Sequence, residues 1–133
     1  MAIIPTQQNP YYRKSRGAPE MKIQAECVKI AWNDFPETRN LLFHVENESG
    51  GVDIITGARR KAEGIVRGVS DLILMLPRGG YHALCIEMKT ATGYQSSYQK
   101  NWAELVRAQG YRYEVIRSAE DFRALLIEYL GEK

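Results

Sequence analysis

With 133 residues, 44% hydrophobic and 26% charged, the chain has the make-up of an ordinary soluble globular protein and the length of one domain with a proper core. A net charge of +2 is too small to define a partner, and the only two cysteines, Cys27 and Cys85, lie far apart inside apolar patterns and read as buried thiols of a reducing compartment. No run approaches the roughly 18 apolar residues of a membrane span, and no signal-peptide apolar region opens the chain, so an intracellular, soluble protein without a membrane partner is expected.

Residues 1–19 hold Pro5, Pro10, Gly17 and Pro19 among Arg13, Lys14, Arg16, Tyr11 and Tyr12, with no helical or strand period. They read as a flexible basic arm that either contacts nucleic acid or merely solvates, followed by a single domain over residues 20–133. From about Glu20 to Phe35, Ile23, Cys27, Ile30 and Ala31 recur at helical spacing, and Pro36 follows the end. Glu26, three after Ile23 and four before Ile30, falls at the border of that stripe, where it is either an ordinary rim glutamate or a group facing a site. Leu41 to Val45 reads as a strand, and Gly50-Gly51 as a turn. Residues 53–67 form a short helix or an ordered loop, and Arg59, Arg60, Lys61 and Arg67 make them basic. Such a run is either a solvated face or a phosphate-binding segment.

The stretch from Gly68 to Lys89 reads as a β-hairpin: Leu72-Ile73-Leu74-Met75-Leu76 breaks at Pro77-Arg78-Gly79-Gly80 and returns as Tyr81 to Lys89. If the turn is centred on Gly79, Asp71 stands opposite Glu87. Asp71, Ile73, Met75, Ala83, Cys85, Glu87 and Lys89 then share one face, and Leu72, Leu74, Leu76, Leu84, Ile86 and Met88 the other. Directly opposed Cβ atoms lie about 4.5–5.5 Å apart. Two carboxylates at that separation repel unless a cation lies between them, and a divalent metal fits, with Lys89 adding positive charge on the same face. A structural ion pair is the alternative. Mg²⁺ retains several waters, so one or two carboxylates suffice where a phosphate supplies the rest. A register shifted by one residue would place the two acids on opposite faces.

Beyond the connection at Thr90 to Tyr94, a helix is expected over Ser97 to Ala108, with Gly110 just past its end and Trp102, Leu105 and Val106 on its buried face. Gln99 lies near its start, within reach of the strand end carrying Glu87 and Lys89. Tyr111 to Ile116 reads as a strand, and Ser118 with Asp121 caps a last helix burying Phe122, Leu125, Leu126 and Tyr129. A helix between two strands is a crossover, so the strands of Lys89 and Tyr111 should run parallel beside the antiparallel hairpin, in a mixed α/β sheet flanked by helices. There is no phosphate-binding Gly-x-x-x-x-Gly-Lys loop, no pair of Cys-x-x-Cys knuckles, no His-Glu-x-x-His and no Gly-x-Ser-x-Gly, and His44 and His82 lack metal-ligand spacing.

Glu26, then Gly68-Val69-Ser70-Asp71, then Ile86-Glu87-Met88-Lys89, then Gln99, Trp102 and the Gln109-Gly110-Tyr111 step, in that order, resemble the virus-type replication-repair nuclease (VRR-NUC) family of the PD-(D/E)XK superfamily. The resemblance covers roughly residues 20–120. Ser70 stands where members often have Pro, one position before the aspartate that is needed. The resemblance implies a restriction-endonuclease-like core and an Mg²⁺- or Mn²⁺-dependent DNA endonuclease. Asp71, Glu87 and the main-chain carbonyl of Met88 would be ligands, Lys89 catalytic, and Glu26 and Gln99 would complete the site, Glu26 as a further ligand. It also implies branched or structured DNA as substrate, in the manner of Holliday junction resolvases of phage and bacteria, and a homodimer. Arg59, Arg60, Lys61, Arg67 and Lys100 would hold DNA phosphates. The competing expectation is a catalytically inactive nuclease-fold DNA-binding subunit or a recombination accessory protein.

Overall fold

The computed structural model describes residues 18–46 and 54–131. The arm expected over residues 1–19 therefore lies outside the described residues except for its last two, which already belong to the first helix. Helix α1 (Ala18–Asp34) is followed by a 3-10 turn at Pro36–Thr38, strand β1 (Leu42–His44) and helix α2 (Ile54–Ala62). Strands β2 (Leu72–Leu74) and β3 (Leu84–Met88), helix α3 (Ser97–Ala108), strand β4 (Arg112–Ile116) and helix α4 (Ala119–Leu130) complete the order. The basic segment is thus a helix over most of its length.

The four strands form one sheet in the order β1-β2-β3-β4, antiparallel except for the parallel pair β3-β4, as the crossover through α3 requires. Side-chain alternation sorts the sheet into two packed faces. Leu72, Leu74, Leu84, Ile86, Met88 and Ile116 pack against Cys27 and Ala31 of α1 and Phe122, Leu125, Leu126 and Tyr129 of α4. Cys85 and Tyr113 pack on the other face against Ala103 of α3, with Trp102 and Val106 beside them. Leu105, expected on the buried face of α3, is 66% exposed, and the smaller Ala103 takes the contact. Ser118 caps α4 as expected, its Oγ accepting the Asp121 N–H at 3.1 Å.

The hairpin reaches its expected register by an unexpected route. Leu72 pairs with Ile86 and Leu74 with Leu84, and one further step along the ladder sets Asp71 opposite Glu87. The turn itself is centred between Gly79 and Gly80, both at positive φ (59° and 87°), with Arg78 bridged to Tyr81. Continued without interruption, that turn would put Asp71 opposite Met88. Instead residues 75–77 face only residues 82–83 between the Leu74–Leu84 pair and the Arg78–Tyr81 bridge. This one-residue excess, containing Pro77, restores the register.

Candidate active site

Asp71 and Glu87 each expose 1% of their surface, at the end of the sheet and on the face covered by α3. The main chain of Asp71 is held from β1: its carbonyl accepts the Val45 N–H at 2.8 Å and the His44 ring at 2.8 Å. Because a carbonyl only accepts, the His44 hydrogen sits on Nδ1. The Asp71 carboxylate is aimed across the hairpin, where Oδ2 accepts the Met88 N–H at 2.7 Å. Ser70 is fully buried, and its hydroxyl donates to the Leu72 carbonyl at 3.1 Å, which satisfies a polar group at this dry position.

Glu87 is fixed from three directions. Its Oε2 accepts the Gln99 amide at 3.0 Å and lies 3.8 Å from Lys89 Nζ, and its Oε1 accepts the Tyr113 hydroxyl at 3.4 Å. Gln99 is held in turn by the α3 N-terminus: its Oε1 accepts the Ser96 N–H at 2.8 Å, and its own N–H donates to Ser96 Oγ at 3.2 Å. The capping box thereby sets which end of the amide faces Glu87. The Tyr113 hydroxyl accepts from Gln95 Nε2 at 3.0 Å, leaving its own proton for Glu87.

Burial raises the Glu87 pKa well above the ordinary carboxylate range; the charge of Asp71 and a hydrogen bond between the two carboxyl groups raise it further, against the lowering effect of Lys89. Glu20 also raises it by its charge. Burial likewise raises the Tyr113 hydroxyl, and the charge of Glu87 adds to that effect. The site therefore holds more negative charge than its surroundings compensate, and a proton or a metal cation relieves it. Burial pushes the Cys85 thiol up to about 11 and the Cys27 thiol up to about 12, and both are free, as buried inert thiols should be.

Asp71, Glu87, Lys89 and Gln99 are brought together, whereas Glu26 is exposed on α1 with its charge acting on neighbouring Cys27. The acid of α1 whose charge reaches Glu87 is Glu20, a partly buried residue in the first turn. The signal for it was present: Glu20 lies three before Ile23 and seven before Cys27, on the stripe itself, while Glu26 is one position off it. Tyr113 and Gln95 were also missed, since a tyrosine in an apolar strand reads as core until its hydroxyl is seen on a carboxylate. Among the described residues no group of three or more His, Cys, Asp and Glu side chains is placed to hold a metal ion. The protein thus offers a carboxylate pair, which fits an ion that keeps most of its own water.

A mixed four-stranded sheet with helices on both faces, carrying an acid pair and a lysine at one sheet end, is a restriction-endonuclease-like core. The VRR-NUC domain family matches residues 10–120, and the chain belongs to that family. A solved VRR_NUC domain protein has the same fold, with a TM-score of 0.73 and 23% identity over 86% of this chain and 90% of its own. Curated proteins include no match to this sequence.

Proposed function

We propose that this chain is a metal-dependent DNA endonuclease that hydrolyses phosphodiester bonds in branched or otherwise structured DNA. The observation that carries the reading is the buried, mutually hydrogen-bonded Asp71–Glu87 pair with Lys89 Nζ 3.8 Å from Glu87. An ion pair kept only for stability needs one acid. Two opposed acids beside a single lysine carry a surplus of negative charge that a bound proton or a further cation must offset, and a divalent ion fills that place in the working enzyme.

Asp71 and Glu87 would hold Mg²⁺ or Mn²⁺ together with the Met88 carbonyl. The Met88 N–H points toward Asp71, and the N–H and C=O of one strand residue point the same way, so this carbonyl faces the Asp71 side. Held there, the ion would supply Lewis acidity for a phosphoryl oxygen and for a water molecule. Lys89, 11% exposed at its side chain, neutralises charge developing on the phosphate and orients the nucleophile. Gln99 and Tyr113 keep both Glu87 oxygens aimed, while Glu20 of α1 acts on Glu87 through its charge and is not placed as a third ligand. Arg59, Lys61, Arg67 and Lys100 are exposed and Arg60 half-buried, and they hold backbone phosphates without reading sequence. The protein acts as a homodimer in the cytoplasm of a bacterium or phage-infected cell; light scattering on a sizing column tests the dimer. Among the described residues no helix is long and apolar enough to cross a membrane.

In a cleavage assay with Mg²⁺ on four-way junctions, wild type is expected to cut and Asp71→Ala and Glu87→Ala are not. Wild-type rates in both variants would refute the assignment. Binding without cleavage by wild type would favour an inactive DNA-binding subunit.

Tyr113→Phe removes the hydroxyl that donates to Glu87 and accepts from Gln95. Mn²⁺ binding measured by calorimetry is expected to weaken about tenfold, the usual effect of losing a group that orients a metal ligand. Thermal stability should fall by about 1–2 kcal/mol, the net worth of two hydrogen bonds. Unchanged Mn²⁺ affinity would show that Gln99 alone suffices to orient Glu87.

A further inference from the structure

One aromatic and one cation at the edge of this site are not accounted for by the acids. The guanidinium of Arg67 lies 4.0 Å from the ring centroid of Tyr98, and both residues are exposed, Tyr98 to 49%. Both residues sit on the segments that build the site. Arg67 is four residues before Asp71, and Tyr98 directly precedes Gln99, whose amide is 3.0 Å from Glu87. Gly68 locks the two segments together: a Cβ there would come 2.3 Å from the Tyr98 carbonyl oxygen. The shelf is therefore held close to the acid pair.

An aromatic ring backed by a guanidinium is a surface on which nucleic-acid bases stack, whatever their identity. A base inside a duplex has both faces covered by its neighbours and cannot use such a surface. A base at a gap, flap or branch can. The positive charge of Arg67, with Lys100 exposed two residues after Tyr98, suits the phosphates flanking that nucleotide.

We propose that the Arg67–Tyr98 pair is a stacking shelf that receives one base with a free face, at a gap, flap or branch point, next to the scissile phosphate, so that unstacked bases, rather than duplex curvature, direct the cut. This inference rests on the nuclease reading and names its substrate feature. Stacking on an aromatic side chain is worth roughly tenfold or more in affinity per base.

The test uses two DNAs carrying 2-aminopurine, one with the probe unpaired at a gap and one with it fully paired, in Ca²⁺ for binding and in Mg²⁺ for cleavage. Wild type and Tyr98→Phe are expected to bind the gapped DNA about tenfold more tightly than the duplex and to quench the probe. Tyr98→Leu, an exposed substitution checked by its melting temperature, is expected to lose that preference and the quenching while binding duplex within about twofold of wild type. Preference and quenching retained by Tyr98→Leu overturn the shelf. So does equal binding of both DNAs by a wild type that still cleaves, and in either case the nuclease reading stands. A wild type that neither binds nor cleaves any DNA overturns the nuclease reading, and the shelf with it.

Discussion

Glu87→Gln is expected to abolish DNA cleavage and yet to leave the metal-free protein more heat-stable than wild type above neutral pH. Glu87 is 1% exposed and lies opposite Asp71, and its pKa is raised first by burial and then by the Asp71 charge. In the unfolded chain the same carboxyl loses its proton at the ordinary carboxylate value, so above that value folding takes up a proton. Stability contributed by this group is therefore full at low pH and is lost as pH rises from the carboxylate range toward the raised folded value. The slope is at most about 1.4 kcal/mol per pH unit for one proton. Glutamine has nearly the same shape, its carbonyl can accept from Gln99 and its amide can donate to Asp71, and it has no charge to lose. Melting curves in chelator between about pH 5 and pH 8 should fall for wild type and be flatter for the variant, with the difference growing upward. Cleavage should drop about 10³-fold or more, about 4 kcal/mol of barrier, since the proposed metal ligand is gone. A variant less stable than wild type at every pH would mean that the ionised Glu87 stabilises the fold as a partner of Lys89, and the metal reading would lose its main support.

Gly68→Ala should be the most damaging glycine-to-alanine substitution among the described residues. Gly68 has φ +88°, and a Cβ there would lie 2.3 Å from the Tyr98 oxygen and 2.5 Å from its carbonyl carbon, both backbone atoms that cannot swing away. A left-handed conformation alone costs a non-glycine residue about 1–3 kcal/mol. With the clash added, a loss of about 2–4 kcal/mol is expected, roughly 10 °C in melting temperature. Relief must come from moving the start of α3 away, and that carries Gln99 off Glu87, so metal binding and cleavage should fall beyond what instability explains. Gly64→Ala is the comparison: it has φ +97° and nothing within 4 Å, so it carries the conformational cost without the clash. Equal melting losses in the two variants would remove the argument from close approach.

The helices, the mixed sheet and its two faces were legible because their apolar residues recur at 3.6 or 2 positions, and burial enforces those periods. Asp71 opposite Glu87 was legible only in outcome. The assumed turn was half a residue from the true one, and the excess residue around Pro77 cancelled the error. Pro77 within a hairpin arm was a visible hint of such a bulge. Glu20, the acid of α1 whose charge reaches Glu87, was legible by phase along the helix, whereas Glu26, one position off the stripe, lies on the exposed side. Tyr113 reaching Glu87, and Gly68 meeting Tyr98, depend on which side chains face each other across separate elements, and no period in a single sequence encodes that.

The surplus residue between Leu74 and Arg78 makes hairpin length a matter of parity. In an antiparallel pair a shift of one residue exchanges inside and outside, while a shift of two restores the same face. Deleting one of residues 75–77 would therefore leave a turn and two well-formed strands while moving Glu87 out of step with Asp71. The length of this surface turn thus sets whether the two buried acids at the far end of the strands stand opposite each other. Relatives that keep the acid pair are expected to differ there by whole pairs of residues, or to carry one change that offsets another.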